Sequence, residues 1–203
     1  LWPFAGSLEG GRLAAAGTEI PQHGFARNRV WKVEERGESG AVLSLEDDAD
    51  SRAIFPWRFR LVQSFELGPG LVRIALESHN RGESPMPVAP GWHPYFACSL
   101  EEKLKVRTTL AGFPHERFAA EEGAFDFGVE SDGVTEFDFQ IGNKRFRLSV
   151  SPNMRWFQFW SLKGREFICV EPFAGRPNII NSPEAERVAP GGFALHWMEL
   201  RLL

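Results

Sequence analysis

The chain has 203 residues, with 23 Lys and Arg against 27 Asp and Glu and a formal net charge of -4. The acidic balance and the lack of a Lys/Arg cluster argue against a nucleic-acid-binding surface. No apolar run approaches the roughly 18 residues of a membrane span, and two cysteines, Cys98 and Cys169, make no disulfide framework and fit a reducing, cytoplasmic setting.

Along the chain, 14 Pro and 20 Gly recur at short intervals, which suggests many short strands rather than helices. Phe59, Leu61, Gln63, Phe65 and Leu67 alternate with Arg58, Arg60, Val62, Ser64 and Glu66. Gly68-Pro69-Gly70 turns the chain, and alternation resumes over 71–77, predicting a hairpin with one apolar face. Residues 114–123 are the best short helix candidate, and nothing predicts a helix of more than about two turns. A second hairpin runs through 136–141 and 146–150 about Gly142-Asn143. A third pairs 155–161 with 166–171 near Lys163-Gly164, and 193–202 is the last strand. The expected fold is all-β, an antiparallel sandwich or distorted barrel that hides its edges by stacking or closing sheets. The 18 Phe and 7 Trp, against a single Tyr, fill its inward faces.

Three irregular segments carry groups foreign to a core. In the first, His23, Arg27, Arg29 and Trp31 crowd around Gly24, whose missing side chain permits a positive φ or a close backbone approach. A solvated surface loop is the alternative. In the second, His93 lies between the Pro90-Gly91 turn and Pro94, which restricts residue 93 to extended backbone and removes a ladder donor. A hydrogen-bonded core histidine is the alternative. In the third, Glu171 ends the apolar run Phe167-Ile168-Cys169-Val170, a strand covered on both faces. A carboxylate there is costly unless paired, hydrogen-bonded or used. His79, His115 and His196 read as structural or solvated. The chain has no phosphate-binding loop, dinucleotide fingerprint or nucleophile elbow. Two His and a Glu can form a facial metal triad, but the His-x-His pair usual on a metal-binding β-barrel strand is missing, so no metal is expected.

In this order, His23-Gly24-Phe25-Ala26-Arg27, Gly91-Trp92-His93-Pro94-Tyr95-Phe96 and Glu171-Pro172-Phe173 resemble the aldose 1-epimerase (galactose mutarotase-like) family. The form His-Gly-Phe-Ala-Arg is especially similar to its hexose-6-phosphate mutarotase branch. Trp2-Pro3-Phe4-Ala5-Gly6 and Val188-Ala189-Pro190-Gly191-Gly192 extend the resemblance toward both ends. It implies an antiparallel β-sandwich with an open cleft, and interconversion of the α and β anomers of a hexose, phosphorylated or not. It implies no metal and no cofactor; with the composition already excluding nucleic acid and membrane, the partner expected is the sugar alone, for a monomer or homodimer. Carried over, Glu171 takes the proton of the anomeric hydroxyl and His93 protonates the ring oxygen. His23 positions the sugar, Arg27 binds its hydroxyls or a phosphate, and Trp31, Trp92 or Phe173 offers an apolar platform. It further implies strands, and a substrate-contacting arginine, upstream of Trp2-Pro3; residues 1–203 are read as one sandwich domain without those strands. A carboxylate near pKa 4.3 and an imidazolium near 6.5 are both in useful form between about those values, and a nearby carboxylate raises the imidazole's. The competing readings are a carbohydrate-binding sandwich without catalysis and a cupin-like metal enzyme.

Overall fold

A computed structural model describes residues 1–120 and 124–203. Its strands, in chain order, are β1 (Arg12–Leu13), β2 (Thr18–Glu19), β3 (Lys32–Arg36), β4 (Gly40–Glu46), β5 (Phe59–Gly68), β6 (Leu71–Asn80), β7 (Met86–Val88), β8 (Tyr95–Ala97), β9 (Arg107–Thr108), β10 (Phe125–Glu130), β11 (Glu136–Ile141), β12 (Lys144–Val150), β13 (Trp156–Ser161), β14 (Phe167–Phe173), β15 (Glu186–Val188) and β16 (Phe193–Leu202). Three short helices interrupt them: α1 (Ala49–Ile54), α2 (Leu100–Leu104) and α3 (His115–Ala120). The helix expected over 114–123 is α3; its last three positions lie outside the described residues. No described helix is long and apolar enough to cross a membrane.

Eight strands form one antiparallel sheet in the order β3-β4-β5-β6-β16-β12-β11-β9, and four form a second, β10-β13-β14-β8. The expected hairpins are present as β5–β6, β11–β12 and β13–β14. One boundary differs. Glu171 does not end its strand, because Pro172 and Phe173 continue to pair with Phe157 and Trp156. β8 itself pairs only with Phe167, Ile168 and Cys169; beside Pro172 the pairing is reduced to a single Gly91–Phe173 bridge, in which the proline takes part through its carbonyl, accepting from the Trp92 N–H, rather than through the N–H it lacks.

The two-residue period of a strand decides which side chains are core. In the four-stranded sheet, Phe96, Ile168, Val170, Phe157, Phe159 and Phe125 are buried beneath one face. There Phe96 meets Phe139 and Phe146 of the large sheet, and Phe157 meets Phe137, with ring centroids 4.8–5.3 Å apart. Offset and edge-on aromatic packing of this kind fills the sandwich. The other face of the small sheet carries Tyr95, Asp126, Gln158, Trp160 and Glu171.

Backbone hydrogen bonds seat the opening segment beside that face. The Leu1 ammonium donates to the Gly91 carbonyl at 2.8 Å, the Ala89 N–H to Pro3 at 2.7 Å, and the Ala5 N–H to Ala89 at 2.9 Å. The Phe25 N–H in turn donates to the Trp2 carbonyl at 3.1 Å. Gly24 has φ +70°, and a Cβ there would collide with the Trp2 carbonyl oxygen. Both the conformation and the contact demand glycine. Gly24→Ala is therefore expected to lower stability by about 2–4 kcal/mol, through strain at positive φ plus overpacking, read as a lower midpoint in urea denaturation.

Candidate active site

A cavity of about 370 Å³ opens on the exposed face of the four-stranded sheet, lined by His23, Arg27, His93, Asp126, Trp160 and Glu171 among others. Strand alternation puts Glu171 here. Its neighbours Val170 and Pro172 point to the core, so residue 171 faces the cleft, directly opposite Gln158 of β13. Although it faces the cleft, Glu171 is only 1% exposed. The His93 Nε2 lies 3.3 Å from its Oε1, out of hydrogen-bonding alignment, and that Oε1 makes no hydrogen bond. Desolvation, then the Asp126 charge, pushes the Glu171 carboxyl up to about 8.

Pro94 and the extended backbone before it hold His93 at the start of β8. Its ring stacks on Tyr95 at 5.0 Å and meets Trp160 edge-on at 5.6 Å. Burial lowers the His93 pKa. This corrects the expectation that a nearby carboxylate raises it. The ring sits among aromatic faces, and the carboxyl beside it is itself held neutral by burial, so desolvation wins over ion pairing.

His23 reaches the same cleft on a left-handed backbone, φ 66°. Its N–H donates to the Gly6 carbonyl at 2.8 Å, and its Nδ1 accepts from the Gly6 N–H at 3.0 Å. The Nδ1 acceptor assigns the neutral tautomer with the proton on Nε2. Burial first, then the Arg27 charge, lowers its pKa to about 4, so at neutral pH His23 is a fixed neutral donor. Its ring lies 5.6 Å from that of His93. Arg27 lines the cleft from the next turn of chain, where its guanidinium reaches the Gln22 carbonyl at 3.3 Å.

Four of the five expected site residues thus converge: Glu171, His93, His23 and Arg27. Trp31 does not join them. Its indole N–H donates to the Ala26 carbonyl at 2.9 Å, and the ring lines a separate, apolar pocket with Trp2, Leu43 and Trp92. The cleft platform comes from Trp160, Tyr95 and Phe173 instead. Of the expected platforms, Phe173 reaches the cleft, while Trp92 lies with Trp31.

Sequence reading missed Asp126, Gln158 and Trp160. The Trp156 indole N–H donates to Gln158 Oε1 at 2.7 Å, and Gln158 Nε2 donates to Asp126 Oδ1 at 2.5 Å. This relay fixes one carboxylate oxygen in the cleft lining. The available signal was period-2 alternation: Gln158 and Trp160 alternate with buried Phe157 and Phe159. His79 and His196 behave as expected. His79 pairs with Glu77 at 2.6 Å, and buried His196 lies 3.0 Å from Glu186. Among the described residues, the set most able to hold a metal is His93, Cys169 and Glu171, whose ligand atoms lie within 4.8 Å of one another.

Comparison with known proteins gives a consistent result. The family model described as aldose 1-epimerase matches residues 8–201. The protein named "Putative glucose-6-phosphate 1-epimerase" of Salmonella typhimurium is 29% identical over 140 residues, 67% of this chain and 42% of that protein. The chain spans less than half the length of the curated relatives it matches. Among solved structures, the Slr1438 protein of Synechocystis sp. PCC 6803 superposes with a TM-score of 0.87 at 25% identity, covering 100% of this chain and 76% of that one. A galactose mutarotase related enzyme of Lactobacillus acidophilus superposes with a TM-score of 0.81 at 16% identity, covering 100% and 81%. These superpositions establish the fold as galactose mutarotase-like.

The raised Glu171 value has a consequence for stability. Between the unfolded value near 4.5 and the folded value near 8, the folded chain holds a proton that the unfolded chain releases. Stability contributed by Glu171 therefore falls as pH rises through that window. Glu171→Gln is expected to become progressively more stable than the unsubstituted chain from pH 5 to pH 8, by a difference on the order of 3 kcal/mol at the upper end. Urea denaturation at a series of pH values measures it, and a pH-independent difference would refute the buried, neutral carboxyl.

Proposed function

The chain belongs to the aldose 1-epimerase family, and from that premise we propose that it interconverts the α and β anomers of a hexose by acid–base ring opening. The single observation that carries this reading is the pairing of Glu171 and His93, 3.3 Å apart in a cleft sized for a small molecule. Opening a pyranose requires a proton to leave O1 while another reaches the ring oxygen. A carboxyl and an imidazole side by side supply both transfers.

The shifted values define how this pair works. Glu171 is raised and His93 lowered, so the resting pair holds one proton, on the carboxyl. An anomeric hydroxyl donating to Glu171 stabilises the carboxylate form. The proton then crosses to His93, giving the carboxylate and imidazolium that ring opening uses. Glu171 takes the O1 proton and His93 delivers its own to the ring oxygen. Rotation about C1–C2 and reclosure on the other face restore the pair. The His23 Nε2–H supplies a second donor toward the ring oxygen, and Asp126 accepts from a sugar hydroxyl. Trp160 and Phe173 cover the apolar faces of the ring. Arg27 is the only Lys or Arg among the described lining residues, so it is the one group available to a phosphate carried by the sugar. The two free, buried thiols support a reducing, cytoplasmic setting.

The decay of optical rotation of fresh α-glucose and of α-galactose, with glucose 6-phosphate followed in a parallel coupled assay, tests the reading. Glu171→Gln and His93→Asn are each expected to lower the catalysed rate by about 10²–10⁴-fold. Saturable sugar binding with a rate equal to that of buffer would instead identify a carbohydrate-binding module.

The pH profile follows from one proton per pair. Activity falls on the acid side as His93 takes a second proton, below its ordinary 6.5, and on the alkaline side as Glu171 loses the first, near 8. The expected profile of kcat/KM is a plateau between those limbs, and Glu171→Gln removes the alkaline limb from whatever rate remains. A profile that keeps rising well beyond pH 8 would exclude the pair as its source.

A further inference from the structure

Cys169 takes no part in the proposed chemistry, yet it stands two residues before Glu171 on the same face of β14. Residues i and i+2 of a strand point the same way, so the thiol and the carboxyl project side by side. Cys169 also lies directly opposite Tyr95 of β8 in register, which brings it under the turn that carries His93. The result is a nitrogen, a sulfur and an oxygen donor with mutual separations within 4.8 Å, of which the His93 Nε2 to Glu171 Oε1 edge is already 3.3 Å. Neighbouring ligands of a tetrahedral zinc ion, with metal–donor distances of about 2.0–2.3 Å, stand roughly 3.3–3.7 Å apart. The remaining edges, at most 4.8 Å, exceed that spacing by no more than about 1 Å, which a small side-chain movement closes.

Two further observations point to a ligand rather than to packing. Glu171 is only 1% exposed, and its Oε1, 3.3 Å from the His93 Nε2, has no hydrogen-bond partner. Unpartnered buried oxygens are rare, because each forfeits its hydration without replacement. The set is also incomplete in a particular way. Of the three donors, His93 and Glu171 line the open cleft, while Cys169 is fully buried. Three ligands with one open position resemble an accessible zinc site rather than a closed structural one. A thiol, an imidazole and a carboxyl select a borderline or soft divalent ion, zinc over magnesium or calcium.

We propose that His93, Cys169 and Glu171 form a reversible binding site for a divalent transition metal such as zinc, and that occupancy shuts off the acid–base pair. Metal binding itself is independent of the activity assigned above; the inhibitory consequence rests on that reading. Binding requires the thiol and carboxyl protons to leave for solvent, so affinity rises with pH. The bound ion then occupies both groups that ring opening needs free.

Cobalt(II) titration of the metal-free protein tests the site without reference to activity. One equivalent is expected to give visible d–d bands together with an intense near-ultraviolet thiolate-to-metal charge-transfer band. Added zinc removes both. Cys169→Ser abolishes the charge-transfer band, Cys98→Ser retains it, and His93→Asn weakens binding by at least about tenfold. Circular dichroism confirms that each variant is folded. If Cys169→Ser does not fold, the comparison of His93→Asn with Cys98→Ser decides alone. In the mutarotation assay, zinc that slows the unsubstituted chain about tenfold should slow Cys169→Ser less than about twofold relative to its own metal-free rate, and a chelator should restore the loss. Absence of the band at saturating cobalt, or its persistence in Cys169→Ser, overturns the site. A chain that shows the band but no mutarotation without metal refutes the proposed activity and leaves the site standing. Equal zinc sensitivity with and without Cys169 refutes the inhibitory role.

Discussion

A carboxyl buried on the open face of a sheet is the constraint on which the site depends. Water normally stabilises such a group, and removing it disfavours the charged form by several kcal/mol. Here strand alternation fixes Glu171 toward the cleft, while His93 and its stacked aromatic neighbours close over it. The carboxyl meets the constraint by staying protonated. His93 offers no charge compensation, being itself held neutral, and Asp126 adds a repulsive charge. The four-stranded sheet therefore stores a proton that it could not keep in an open, hydrated groove.

Backbone bonds, rather than side-chain contacts, gather the segments that complete this arrangement. The Trp92 N–H donates to the Pro172 carbonyl at 3.1 Å and the Ala174 N–H to Pro90 at 2.8 Å, which joins the His93 turn to the Glu171 strand. The Trp2–Ala5 segment bridges Ala89 on one side and Phe25 on the other. The loop carrying His23 is thereby locked through the residues least able to vary. Gly24 passes too close to the Trp2 carbonyl to carry a side chain, and Gly91 would place a Cβ 2.5 Å from the Phe173 ring. Three stretches that are far apart in sequence reach one cavity because their main chains interlock. α2 is anchored comparably from the other end: the buried Lys103 ammonium donates to Ser161, Leu162 and Arg165, which satisfies all three of its protons.

Much of this was legible from residue order. Alternation located the β5–β6, β11–β12 and β13–β14 hairpins and the last strand, because side chains that face a core repeat every second position. The helices α1 and α2 escaped notice, although Asp48 with Ser51 and Ser99 with Glu102 form capping boxes; each helix is too short to show an apolar period. Glu171, His93 and His23 stood out because a charged or imidazole group beside apolar or rigid backbone calls for an explanation. Asp126 and Gln158 did not, since a polar residue alternating with Phe reads the same whether it faces solvent or a cleft. Trp31 was misplaced for a related reason. An aromatic next to an Arg pair suggests a sugar platform, but the short 3-10 turn at Ala26–Asn28 carries it past the cleft and onto the Ala26 carbonyl. The directions of the His93 and Glu171 shifts were also beyond sequence, because they depend on how completely Tyr95, Trp160 and Phe173 exclude water.

Those reversed shifts suit the proposed chemistry better than ordinary values would. Interconversion of anomers has no net proton change, and each pass ends with the pair in the state that began it. A catalyst for such a reaction gains nothing from a strong acid beside a weak base. It needs two groups of comparable proton affinity, so that the same proton moves between them at little cost in either direction. In water a carboxyl and an imidazole differ by about two units, with the imidazole the more basic. Burial acts on the two in opposite senses, raising the carboxyl and lowering the imidazole. Acting alone, burial overshoots and leaves the proton on Glu171. A sugar hydroxyl donating to the carboxylate works in the opposite direction and brings the pair toward balance when substrate is present. The desolvated ring of aromatics and the substrate's own hydrogen bond are then two halves of one adjustment, and the proton becomes mobile where there is a ring to open.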